Sequence, residues 1–239
     1  MLDLRSIVAG VDEIVPTLGG GSRTHVDLDN ATATPVLWPV IDAVGRLLPL
    51  HAAAHRGTGY KARVSTKAYE QALASIGRFV GADPERDVVV LTGDPIGALH
   101  RLSHLRHAGD DTVVLTAVLD HRGDHRARPP AGQVTRVAVR PDGTADPDDL
   151  DRCLRERAGR ATLLAVPGAS DATGVVQPVH QLVERVHAAG GRIAVDTAHL
   201  ASHRRIDMRP HGDPGRLDVV ALSGHTMYAP FGSGALVGD

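Results

Sequence analysis

Leu217-Asp218-Val219-Val220-Ala221-Leu222-Ser223-Gly224-His225-Thr226-Met227-Tyr228-Ala229-Pro230-Phe231-Gly232 is the stretch from which the fold can be read. Residues 219–222 are a continuous apolar run, preceded by an aspartate and followed by a Ser-Gly turn. Such a run reads as a strand buried on both faces that opens into a polar loop. Ser223, His225 and Thr226 then stand at the C-terminal end of a strand, where open α/β sheets place their ligands.

The same kind of run recurs through the chain. Residues 88–91, 113–115, 134–139, 163–166 and 193–195 are short β-branched or leucine-rich stretches, whereas residues 96–105, 147–157 and 178–189 have helical spacing. Buried strands separated by helices predict an α/β protein with a mostly parallel sheet sandwiched by helices. Upstream, residues 1–23 carry a weak helical pattern that ends at Gly19-Gly20-Gly21, and they read as an N-terminal arm of about 25 residues. Residues 26–28 read as a short strand, and Pro35 as the first-turn residue of a helix through Val36, Val40, Ile41, Val44 and Leu47. After the polar loop His55-Arg56-Gly57-Thr58-Gly59-Tyr60, Ser65 or Thr66 can cap a helix with Tyr69, Leu73, Ile76 and Phe79 on one face. There is no internal repeat, low-complexity tract or evident linker, so one domain over residues 1–239 is the expectation.

At 239 residues and 42% hydrophobic the chain is long enough for a sizeable core. Its formal charge of -2 gives no electrostatic case for nucleic acid or an acidic membrane surface. Lys61 and Lys67 are the only lysines. A single cysteine, Cys153, excludes an internal disulfide and reads as a structural thiol in a charged helical segment. No apolar run approaches membrane-spanning length and the N-terminus has no signal-peptide pattern, so a cytoplasmic protein is expected.

Several residues are candidates for chemistry. Asp196 ends an apolar run, where a carboxylate can keep a pyridinium ring charged or can simply order its own loop. Asp171 lies in Ser170-Asp171-Ala172-Thr173-Gly174, which is also a turn sequence. Thr92-Gly93-Asp94-Pro95-Ile96 sits where a strand meets a helix start, a place for an anion. His121 follows the run at 113–115 and is either a stacking ring or one of 14 solvated histidines. His100 and His104 lie four apart on one helix face, with His107 one turn further; the spacing can bind zinc, but no further ligand of predictable geometry follows and the face reads as solvated.

Taken in order, these motifs resemble those of the class V aminotransferases and cysteine desulfurases, enzymes that use pyridoxal phosphate (PLP). Ser223, His225, Tyr228, Pro230 and Gly232 fit the family's Ser-x-His-Lys followed by Tyr-x-Pro-x-Gly. Val195-Asp196-Thr197-Ala198-His199 resembles Val-Asp-x-Ala-Gln, and Asp120-His121-Arg122 resembles Glu-His-His. Leu28-Asp29-Asn30-Ala31 and the segment from His55 to Thr66 resemble the family's N-terminal motifs. The resemblance runs from Asp29 to Gly234.

The resemblance implies a fold type I PLP-transferase large domain lacking the small C-terminal domain. It implies PLP as cofactor, with Asp196 on the ring nitrogen, His121 stacked on the ring, and His199 and Asp171 beside the phenolic oxygen. Ser223, His225, Thr92 and Asp94 fall at the phosphate. It also exposes departures. Thr226 occupies the position of the lysine that binds the cofactor aldehyde, Pro95 and Ile96 replace two threonines of the phosphate turn, and Asp171 replaces a donor with an acceptor. The expected function is a cysteine desulfurase-like protein acting on an amino acid, with impaired or absent catalysis. The alternative is a non-catalytic subunit that completes a heteromeric enzyme or has lost PLP. The expected partners are a second copy, or a chain that supplies the missing C-terminal domain.

Overall fold

The computed structural model describes residues 4–31, 33–93, 113–117, 134–230 and 232–239. The chain falls into two compact units. One comprises Met1–Ala72 with Gly224–Gly232, the other Leu73–Ser223 with Ser233–Asp239.

In the first unit a short helix, α1 (Leu4–Ile7), precedes a hairpin of β1 (Ile14–Pro16) and β2 (Ser22–Thr24). The weak helical pattern of residues 1–23 is therefore overridden after one turn, because Gly20 and Gly21 at positive φ close a turn that pairs the flanks. The strand predicted at residues 26–28 forms at Ser22–Thr24 instead, where β1 offers a partner. Helix α2 (Trp38–Leu47) begins three residues after Pro35, with Pro39 in its first turn.

Helix α3 (Tyr60–Val80) starts earlier than its predicted cap. Ser65 and Thr66 lie inside it and turn their hydroxyls outward, accepting from the backbone N–H of Ala52 and His55, both at 2.9 Å. Two successive side chains thus tie down a loop that has no sheet or helix to satisfy its donors.

The strands of the second unit are β3 (Val88–Thr92), β4 (Val113–Ala117), β5 (Val134–Val137), β6 (Thr162–Pro167), β7 (Arg192–Asp196), β8 (Val219–Ser223) and β9 (Gly234–Gly238). They form one sheet in the order β3-β9-β8-β7-β6-β4-β5. The pairs from β8 through β5 are parallel, and β9 is antiparallel to both neighbours. The α/β sheet is thus mostly parallel, as the runs predict. Its antiparallel strand, β9, has glycine at both ends and was not legible as a strand from an apolar run.

Helix α4 (Pro147–Arg155) is specified locally. Asp146 caps it by accepting from Asp148 N, Pro147 opens it, acids fill the first turn and arginines the last. Leu150, Cys153 and Leu154 form its buried face. Helix α5 (Val179–Ala188) buries Val179, Leu182, Val183 and Val186, the i, i+3, i+4, i+7 stripe of an amphipathic helix. On one sheet face Leu163, Ala194 and Val219 pack together, with Leu236 against them. The predicted helix at residues 96–105, with His100, His104 and His107, lies outside the described residues.

Candidate active site

In the second unit the parallel strands bring several sequence-predicted residues to one edge of the sheet. Asp196 ends β7, with Pro167 and Ala221 as its register partners on the neighbouring strands. Ser223 ends β8 and Thr92 ends β3, and both pair with Gly234 of the strand between them. Chain direction alone produces this gathering, because parallel strands finish on the same side.

The backbone around Asp196 is fixed from both flanks. Its carbonyl accepts from Gly168 N at 2.7 Å, and its carboxylate Oδ1 accepts from Ala198 N at 2.9 Å. Thr197 turns back onto β8, donating both N–H and Oγ1–H to Ala221 O at 2.9 and 2.7 Å. Gly168 is needed for this fit: a Cβ there would stand 3.0 Å from Leu200 Cδ2 and 3.3 Å from Asp196 O. His199 follows within the turn closed by Leu200 N to Thr197 O, and it is half-buried. One carboxylate oxygen of Asp196 thus orders its own loop.

Asp171 sits in a closed turn. Ser170 N donates to Val175 O, Gly174 N donates to Ser170 O, and Thr173 N donates to Ser170 Oγ. Gly174 completes the turn at a φ of 72°. His121 and Asp94 lie outside the described residues.

In the first unit, His225 and Thr226 belong to a tight turn in which Met227 N and Ala229 N both donate to Gly224 O, at 2.9 and 3.0 Å. Thr226 is 1% exposed. The sequence reading missed Thr34, whose hydroxyl donates to His225 O at 3.0 Å and accepts from Tyr228 N at 2.6 Å. A contact between residues 191 and 194 positions apart leaves no signal in local sequence, beyond a threonine just before Pro35.

Among the described residues there is no cluster of three or more metal-ligating side chains. No helix among them is long and apolar enough to cross a membrane.

PLP itself can be tested against this residue set. A carboxylate at the end of β7 suits a protonated ring nitrogen. The aldehyde has no counterpart: position 226 carries a hydroxyl, and the two lysines of the chain, Lys61 and Lys67, lie exposed on α3. The residues therefore do not fit a covalently held PLP.

The class V aminotransferase family model matches residues 26–239. A cysteine desulfurase of Dickeya dadantii is 30% identical over 222 residues, covering 88% of this chain and 52% of that protein. One from Haloferax volcanii is 28% identical over 222 residues, covering 89% and 50%. Among solved structures, the apo cysteine desulfurase of Thermococcus onnurineus superposes with a TM-score of 0.79 at 23% identity, covering 98% of this chain and 56% of that one. A NifS-like protein from Rickettsia africae gives 0.78 at 17%, covering 88% and 57%. The chain spans about half the length of these relatives. With the matched residues covering most of the sequence, and a sheet of the same fold, this chain belongs to the class V aminotransferase family.

Proposed function

We propose that the chain is a cysteine desulfurase-like member of its PLP-dependent family whose own amino-acid chemistry is impaired or absent. Thr226 carries this reading. In the family the lysine at that position holds the cofactor through its amine, exchanges it for the substrate amine and then moves a proton at the substrate carbon. A threonine hydroxyl has no amine to condense with an aldehyde, and it is too weakly acidic to act as a base near neutral pH. Thr226 is moreover buried, which removes it from bulk water as a proton source. What this chain retains is Asp196, able to orient a ring nitrogen, and Ser223 at the end of β8.

The test is to incubate the purified protein with PLP, reduce with borohydride and measure intact mass. The expected result is no adduct beyond the substoichiometric labelling that exposed lysines give with any aldehyde. A stoichiometric adduct mapped to Lys61 or Lys67 and lost on its substitution by alanine would show that another amine has taken over, and the reading would fall.

A second reading, that the chain works as a subunit of a larger assembly, draws on a different observation. Register pairs Val88 with Gly238 and Val90 with Leu236, which puts them on the face shared by Val219, Ala194 and Leu163. That face is core in the middle of the sheet, yet at β3 Val88 is 60% and Val90 49% exposed. Valines standing at a sheet edge favour a covering partner, either a second copy or another chain. Size-exclusion chromatography with light scattering decides this: a monomer at micromolar concentration that stays monomeric in Val88→Lys/Val90→Lys would remove the support.

A further inference from the structure

We propose that Thr34 is a positioning residue that sets the loop carrying Thr226 without help from a cofactor. The geometry lies wholly within the first unit. A hydroxyl has one hydrogen to donate and lone pairs to accept with, so a single Oγ1 can serve two backbone groups at once. Thr34 uses it that way, donating to His225 O at 3.0 Å and accepting from Tyr228 N at 2.6 Å. Its own N–H also donates to His225 O at 3.1 Å, and Leu37 N donates to Tyr228 O at 3.2 Å.

The backbone on either side of Thr226 and Met227 is therefore clasped at both ends by one buried side chain and its segment. The clasp has something to hold. Tyr228 has a φ of 62°, a left-handed conformation that a bulky residue keeps only when its surroundings impose it. With Tyr228 N on Thr34, and Met227 N and Ala229 N on Gly224 O, three consecutive amides are engaged by protein groups. None of these bonds needs a ligand. The loop is set as the polypeptide folds.

Amide hydrogen exchange read by mass spectrometry tests the clasp. In the wild-type protein, residues 224–230 are expected to be protected with no cofactor added, and adding PLP leaves them unchanged. Thr34→Val keeps the shape of the side chain and removes both hydroxyl bonds. Exchange of 224–230 should then rise by tenfold or more, while residues 192–196 of β7 exchange as in the wild type. Thr34→Ser restores the hydroxyl and should restore protection, which a role in packing alone would not do. The proposal is overturned by a loop that exchanges freely in the wild type, by protection that appears only with PLP, by Thr34→Val matching the wild type, or by Thr34→Ser behaving like Thr34→Val. If Thr34→Val also exposes β7, the wild-type measurement and Thr34→Ser still decide. The outcome is independent of whether the chain forms a covalent adduct.

Discussion

Asp87 and Arg216 form a buried ion pair, with Oδ1 2.5 Å from a guanidinium nitrogen and the two side chains 0% and 6% exposed. Asp87 also meets His211 Nε2 at 3.1 Å and accepts from Asp83 N at 2.7 Å, while Arg216 donates to Arg209 O at 2.6 Å. Arg216 Nε has no partner among the described residues. The cluster ties the turn between α3 and β3 to the segment that feeds β8. Asp87→Asn would leave a guanidinium buried without its counter-charge, and a loss of about 3–5 kcal/mol in urea unfolding is expected.

The same pair sets a pH dependence. Burial pushes the Asp87 carboxyl up, but the Asp83 N–H, the Arg216 guanidinium and His211 together outweigh it and hold it below the usual carboxylate range. A group lowered in the folded state binds its proton more readily when unfolded. Its stabilisation is therefore fully present above the unfolded value of about 4, and it is lost as pH falls through the folded value. The melting temperature should hold from neutrality to about pH 5 and fall below about pH 4, with a shallower fall in Asp87→Asn.

Cys153 is enclosed in the buried face of α4, and burial, with Asp149 nearby, pushes its thiol up. A protonated, buried sulfur is a poor nucleophile. A disulfide reagent such as DTNB should leave the native protein unlabelled over minutes and titrate one thiol in denaturant. Fast native labelling would contradict the structural assignment.

Gly168→Ala tests the packing behind Asp196. The new methyl would press on Leu200 and on the Asp196 carbonyl, so the turn must give by tenths of an ångström. Overpacking of this kind costs about 1–3 kcal/mol. A variant as stable as the wild type would show that the turn is looser than its hydrogen bonds suggest.

Thr226→Lys places an amine where the side chain is 1% exposed. An ammonium at a buried position carries a desolvation cost, and a loss of about 2–4 kcal/mol is expected in the absence of PLP. Thermal melts with and without PLP measure both sides: partial recovery on adding PLP would mark an amine that has found its aldehyde.

Burial on both sheet faces selects continuous apolar runs, and strands such as β7 and β8 were legible from residue order for that reason. Helix α4, with its Asp146 cap and apolar face, and α5, with its apolar stripe, were legible in the same local way. The order of motifs carried the family, and Thr226 could be read as a departure because a side chain's chemistry travels with its letter. The remainder depends on contacts between segments far apart in the chain. β9 was not read as a strand because Ala235-Leu236-Val237 is a short run between two glycines, and its place between β3 and β8 depends on pairing with both. The start of α3 was missed because Ser65 and Thr66 spend their hydroxyls on a loop packed beside the helix rather than on a cap. Thr34 and Arg216 had no local signal at all. Their partners lie more than a hundred residues away, and a hydrogen bond across that separation is specified by how the chain comes together, which no window of sequence contains.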